Sequence, residues 1–283
     1  MVYEHWRIED LPWDRLDASR VDGDLLKVIK AAALVEYNAE SYAEYLGRVF
    51  EGDQELAKAL PVWASEEVQH GKALGMWAEK IDPDWSLETA MARFRAGYKI
   101  EHFANDNSVR GSRAGEMIAR CMVETGTSSY YSAIGASTDE PVLKEICAKI
   151  AGDEFRHYKI FYDTLRRYLK QDNIGRVKRL KIALGRIAET EDDELSYAFF
   201  AANAAEDDRY ERKTWNREYM RRAYSYYQKP QLDRAVSMIF KACGFDPKGV
   251  SGRLASKAAW WMIQKNIKNA GKTGGIFAMQ EAA

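Results

Sequence analysis

Histidine is scarce in this chain, with four among 283 residues, and cysteine is scarcer still, with three. Cys121, Cys147 and Cys243 are odd in number and far apart, which excludes a disulfide framework and any Cys-x-x-Cys zinc, rubredoxin or thioredoxin site. They are expected to be buried free thiols, as in a reducing cytoplasm. Six prolines fall almost entirely at segment boundaries, and hairpin turns between alternating strands are missing, so a sheet protein is not expected. No apolar run is long enough to span a bilayer. The segment Met-Val-Tyr-Glu-His-Trp-Arg-Ile-Glu-Asp carries acids and no apolar core, so no secretory signal is expected. Net charge is −1, which gives no support for a polyanion partner, and no nucleic-acid-reading motif is present. A cytoplasmic, soluble globular protein is expected.

What the chain does have is helical periodicity. Residues 1–22 read as an irregular arm holding Trp6 and Trp13. Helices are expected from Asp24 to Phe50, from there to Lys80, from Ser86 to Asn105, and from Ser112 to Ala136. A fifth, with Thr138 as N-cap, should reach Lys170. Further helices follow over 171–270, and a loose tail is expected over 271–283. The fold class is therefore all-α: an antiparallel four-helix bundle over 23–170 with additional C-terminal helices.

Two of the four histidines sit in one repeated pattern, Glu67-Val-Gln-His70 and Glu154-Phe-Arg-His157. On a helix, residues three apart project to the same side, so each copy presents a carboxylate with an imidazole. Two such helices, with one Glu from each of two others, supply the ligands of a dinuclear carboxylate site. Glu36 and Glu124 are the candidates for the single acids. Glu36 precedes Glu67 by 31 residues and Glu124 precedes Glu154 by 30, one helix out and an equal distance back. Glu36 is flanked by Ala32, Ala33, Ala39 and Ala43 at helical spacing, a stripe on which an unpaired carboxylate would be costly to bury. Glu40 and Glu44 follow on the same stripe and compete for the role. Glu124 is alone among acids between Glu116 and Asp139. Trp63 and Leu74 share the His70 face, and Ile150 and Phe161 the His157 face, so both rings should point inward. Read as ordinary helix acids, a single copy would need no metal; two copies that use half the histidines do. Two imidazoles and four carboxylates suit two iron ions, with manganese or a mixed Mn/Fe pair as alternatives, better than copper or structural zinc. Glu66 and Asp153, each just before its motif Glu, are candidates for holding an imidazole N–H or Arg156, or are simply solvated acids.

The segments Trp63-Ala-Ser-Glu-Glu-Val-Gln-His70-Gly and Asp153-Glu154-Phe-Arg156-His157 resemble the two acidic-x-x-His boxes of the ferritin-like di-iron superfamily, and are closest to those of soluble acyl-ACP desaturases. Glu36-Tyr-Asn-Ala39 resembles the first-helix Glu-x-x-Ala of the rubrerythrin branch. In Glu124-Thr-Gly-Thr127 the threonine matches a position that desaturases use beside their oxygen-binding face; a helix threonine bonded to the preceding turn accounts for it equally well. The third helix continues Ser-Ser-Tyr-Tyr-Ser-Ala, without the His-Gly typical of plant desaturases.

The resemblance implies an O2-dependent di-iron oxidoreductase acting on a C–H bond of an acyl-carrier-protein-bound or other apolar substrate, with electrons from an external donor such as ferredoxin. A di-iron N-oxygenase or small-molecule oxygenase, a ferritin- or rubrerythrin-like iron-oxidising or peroxide-scavenging protein, and a partner-binding scaffold that kept the ligands are the alternatives. Trp77, Met76, Met117, Tyr130 and Tyr131 are candidate channel walls or plain core. Arg176, Lys178, Arg179, Lys181 and Arg186 form a candidate basic patch for an acidic carrier, or a solvated helix face. The aromatic groups Tyr224–Tyr227 and Trp260–Trp261 either mediate a homodimer or pack the C-terminal helices onto the bundle.

Overall fold

The structure, a computed structural model, describes residues 5–98, 107–192 and 194–277. Among these the chain is all-α, without strands. Three short 3-10 turns (Ile8–Asp10, Trp13–Arg15 and Ala18–Arg20) make up the arm. Helices α1 (Gly23–Tyr37), α2 (Ala39–Val49), α3 (Gln54–Ile81), α4 (Leu87–Gly97), α5 (Arg113–Ser137) and α6 (Pro141–Asp172) follow. After them come α7 (Arg176–Asp192), α8 (Glu194–Asn203), α9 (Arg212–Ser225), α10 (Lys229–Cys243) and α11 (Val250–Phe277).

Side-chain caps fix most of the helix starts. Asp22, Asp53, Ser86 and Ser112 each accept a backbone N–H from the first turn that follows. At α6 the cap is Glu140, which accepts from Val142 and Leu143, with Pro141 at the first helical position. Thr138, expected to cap α6, instead closes α5, and its hydroxyl accepts the Glu140 N–H (3.1 Å). Pro61 lies inside α3 rather than at a boundary.

The helix expected over Asp24–Phe50 is two helices. At Asn38 (φ −88°, ψ 8°) the chain makes a tight turn, its N–H bonding back to Val35 O. The break comes where α1 presses hardest on α3, with Gly71 set directly against the backbone of Tyr37. The expected continuation of the third helix toward Asn105 falls partly on 99–106, outside the described residues, as do residues 278–283 of the tail.

Packing places α5 along α6 and α1 along α3, with α3 also against α6. The C-terminal helices cover this group: α8 lies on α1, α10 on α5, α7 on α5 and α8, and α11 on α10 and α9. The core divides into two apolar clusters. One holds Leu34, Leu74, Trp77, Ile134, Ile146 and Ile150; the other holds Leu46, Leu60, Met117, Cys121, Phe161 and Leu165. On α3, α5 and α6 the switch from one cluster to the other falls on the same short stretches, 66–70, 124–128 and 153–157. A buried polar layer therefore cuts the bundle between two dry halves.

Candidate metal centre

Glu36, Glu67, His70, Glu124, Glu154 and His157 all lie in this layer. Each is at most 6% exposed, and both imidazoles are fully enclosed. Of the acids on the first stripe Glu36 alone is inside; Glu40 and Glu44 are exposed. The six residues form two overlapping sets, Glu36–Glu67–His70–Glu154 and Glu67–Glu124–Glu154–His157, with the donor atoms of each set within 4.8 Å of one another. Glu67 and Glu154 belong to both.

The imidazoles point their Nδ1 atoms into the layer. His70 Nδ1 lies 3.2 Å from Glu67, 3.3 Å from Glu154 and 3.8 Å from Glu36. His157 Nδ1 lies 3.1 Å from Glu67 and 3.6 Å from Glu124. The ring centroids are 5.9 Å apart. Their outer nitrogens are held by a crossed pair of carboxylates. His70 of α3 donates from Nε2 to Asp153 of α6 (3.0 Å), and His157 of α6 donates from Nε2 to Glu66 of α3 (2.7 Å). Arg156 donates to both of these acids, at 3.0 Å to Glu66 and 2.5 Å to Asp153, and ties them together. With Nε2–H held by an acceptor on each ring, Nδ1 is the nitrogen that faces the layer and would meet a cation bound there.

The N-terminal arm completes this outer shell. Trp6 donates from Nε1 to Asp153 Oδ2 (2.8 Å) and stacks on His70 with 2° between the ring planes. His5 donates to the same oxygen (2.8 Å), and Gln69 donates to Trp6 O (2.7 Å) and to His5 Nδ1 (3.2 Å). Sequence reasoning missed His5 and Trp6, because nothing local ties an irregular arm to a motif more than sixty residues away, and with them the arm-holding role of Gln69 inside the first motif. Tyr131 was named only as wall or core. Its hydroxyl donates to Glu36 Oε1 (2.6 Å) and belongs to the layer. Thr127 lies within reach of the Val123 and Glu124 carbonyls (3.2 and 3.3 Å) and also bonds Glu154 Oε2.

Other expected wall residues lie elsewhere. Met76 is exposed and lines no interior, Trp77 is core with its Nε1 bonded to Glu140 (2.8 Å), and Met117 is core. Tyr226 O accepts from Ser137, and Tyr227 lies against Tyr130, so the Tyr224–Tyr227 group packs the C-terminal helices onto the bundle. Arg186 is buried and no part of an exposed basic patch. The three cysteines are buried and free.

The electrostatics are those of a site built for cations. Burial, with the Glu67 charge adding to it, pushes Glu36 up to about 8 and Glu154 up to about 7. Burial and Glu154 push Glu124 well above the usual carboxylate range. Burial would raise Glu67 too, but the two histidines outweigh it and hold Glu67 well below that range. Burial would lower both imidazoles; the carboxylates around them prevail and raise both. Protons therefore stand where positive charge is needed. Even so, both oxygens of Glu124, Oε1 of Glu154 and Nδ1 of His157 have no hydrogen-bond partner. Orphaned buried ligand atoms on α5 and α6, facing the carboxylates and imidazole of α1 and α3, fit a bound metal.

Compared with known protein families, residues 27–189 match fatty acid desaturase, a span that includes all six residues and more than half of the chain. No curated protein matches the chain. On the family match and the buried carboxylate–imidazole cluster, the chain belongs to the fatty acid desaturase family, a family of oxidoreductases.

Proposed function

We propose that this protein is an O2-dependent di-iron desaturase-type oxidoreductase with a ferritin-like bundle over 23–170, acting on a C–H bond of an acyl chain. The observation that carries the reading is the pair of buried ligand sets that share Glu67 and Glu154. Glu36, Glu67, His70, Glu124, Glu154 and His157 would hold the ions, with Glu67 and Glu154 common to both ligand sets. Four carboxylates balance two divalent charges, so the loaded layer is near neutral and tolerable between two apolar clusters. Iron held there supplies dioxygen activation and the two-electron oxidation of the substrate, with electrons from an external carrier of ferredoxin type.

The chain's own residues prepare and protect that chemistry. Asp153, Glu66 and Arg156 hold the imidazoles in one orientation. Tyr131 holds Glu36 by one oxygen and leaves the other to face His70. The apolar clusters on either side exclude water from the layer. Thr127 holds a proton at Oγ1 beside the shared Glu154 carboxylate, where it can be passed to a group bound in the layer.

The test is iron per chain after anaerobic loading, in the parent and in a His70→Ala/His157→Ala variant, followed by aerobic incubation with acyl chains presented as carrier-protein thioesters and as free acids. Two ions per chain, lost in the variant, with an unsaturated or hydroxylated product, are expected. Absence of metal in the parent would refute the reading.

A further inference from the structure

The Trp260–Trp261 pair on α11 is split by the fold: Trp260 is half-buried and Trp261 is exposed. Exposure along this helix follows its period. Val250, Leu254, Ala258, Trp261 and Lys265 are exposed at spacings of four, four, three and four, which places them on one side. The opposite side carries Gly252, Ala255, Ala259 and Ile263, buried or half-buried, and α11 lies on α9 and α10.

The outward side is apolar along its middle. Among the described residues nine large apolar side chains are exposed, and four of them stand on this one stretch: Val250, Leu254, Trp261 and Met262, each more than half open to solvent. One edge of the stripe is basic, with Arg253 and Lys257 exposed. Lys265 sets its ammonium over the Trp261 ring, 5.1 Å from the centroid. From Pro247 to Gln280 the sequence has six lysines and arginines and no acid, so this end is strongly positive in a chain whose net charge is −1.

The two features together select the occupant. A second copy paired through the same face would set one acid-free helix against another, cation against cation. A nucleic acid would meet the charge and leave the apolar groups in water. An anionic bilayer meets both, because acyl chains accept the apolar middle while headgroups accept the cations. The stripe from Val250 to Lys265 is straight and about 22 Å long, so a plane can touch it along its whole length. Tryptophan and lysine side by side suit the headgroup level, where a ring with a polar edge and a long cationic stem are both favoured.

We infer that α11 docks this protein on an anionic lipid bilayer. The helix lies along the interface, with Leu254, Trp261 and Met262 among the acyl chains and Arg253, Lys257 and Lys265 at the headgroups. Among the described residues no helix is long and apolar enough to cross a membrane, and the association is peripheral. The inference stands apart from the metal layer, to which α11 contributes no residue.

The test is flotation of the full-length protein with vesicles of phosphatidylcholine, and with vesicles in which about one-third of the lipid is phosphatidylserine. The parent should bind the anionic vesicles at least about tenfold more tightly than the neutral ones. Lys257→Gln/Lys265→Gln should lose about tenfold to thirtyfold of that affinity, and Leu254→Ser/Trp261→Ser at least about tenfold. Val62→Ser/Met76→Ser, which removes exposed apolar groups from α3 instead, should bind as the parent does. All three variants should keep the parent's melting temperature, since only exposed side chains change. Absence of binding, equal binding to neutral and anionic vesicles, or undiminished binding by either α11 variant overturns the inference. So does a parent that ignores vesicles and sediments as a dimer, with Leu254→Ser/Trp261→Ser monomeric, which would make the face a contact between copies. Polyglutamate captured as tightly as the anionic vesicles, with no loss in Leu254→Ser/Trp261→Ser, would replace the bilayer by an acidic protein.

Discussion

Adding one methyl group at Gly71 should disturb the metal layer without touching a ligand. A Cβ there would lie 2.5 Å from the backbone nitrogen of Tyr37 and 2.8 Å from its Cα. Ordinary contact begins at 3.4 Å, so α3 and α1 must separate by about 0.9 Å. The obstruction is backbone and cannot rotate away. Overpacking of this kind costs up to about 3 kcal/mol, and replacing a mid-helix glycine returns about 1, leaving a net loss of about 2 kcal/mol. Tyr37 adjoins Glu36 and Gly71 adjoins His70, so the same displacement pulls two ligands of one set apart, beyond the ~0.5 Å that a preorganised site tolerates. Gly126, two residues from Glu124, is the control, because nothing lies within 4 Å of its Cβ position. Urea unfolding of metal-free protein should show Gly71→Ala destabilised and Gly126→Ala stabilised by about 0.4–1 kcal/mol. Iron content should fall in the first variant and hold in the second. If Gly71→Ala is as stable as the parent and carries the same iron, the close approach of α1 and α3 does not set the site.

Three further outcomes are expected. Glu36 and Glu154 are raised by burial and Glu67 to about 8 and about 7 from 4.5, and the two histidines are raised as well. Raised folded-state values stabilise below the unfolded pKa and cease to as pH climbs through the folded one. Circular-dichroism melts of metal-free protein should therefore show stability falling between pH 4.5 and about 8, with added iron restoring most at the alkaline end; a flat profile would refute the burial assigned to these carboxylates. Asp153→Asn and Glu66→Gln should each weaken metal binding about tenfold to a hundredfold in a competitive chelator titration, since each removes the anionic charge from the acceptor that orients one imidazole. Thr127→Val should keep its iron but slow oxygen-dependent turnover about a hundredfold, with Thr127→Ser restoring it, as measured by single-turnover product analysis.

The sequence by itself determined the parts of this protein that depend on neighbours along the chain. Helix periodicity, the helix starts at Ser86 and Ser112, and the same-side pairing in the two Glu-x-x-His motifs are all local features of the chain. The near-equal spacings, 31 and 30 residues, already implied that Glu36 and Glu124 would return to the height of their partners, because an antiparallel helix retraces the rise of the one before it. Glu36, Glu40 and Glu44 lie on one stripe, and the alanine flanks favoured Glu36; the packing of α1 on α3 and the break at Asn38 put it inside and the others in solvent.

The tertiary structure alone decided everything that joins distant segments. Glu66 and Asp153 looked equally like solvated acids until the face-to-face pairing of α3 and α6 crossed them onto each other's histidine. Trp6 and His5 sit on an arm without helical period, and only the folded chain brings them to Asp153. Arg186 looked like one more charge on a basic helix face, yet the layering of α7 over α5 buries it beside Arg120. Side-chain direction along a helix is set by local geometry, whereas the surface that direction meets is set by the register between helices, and that register appears only when the whole core has packed.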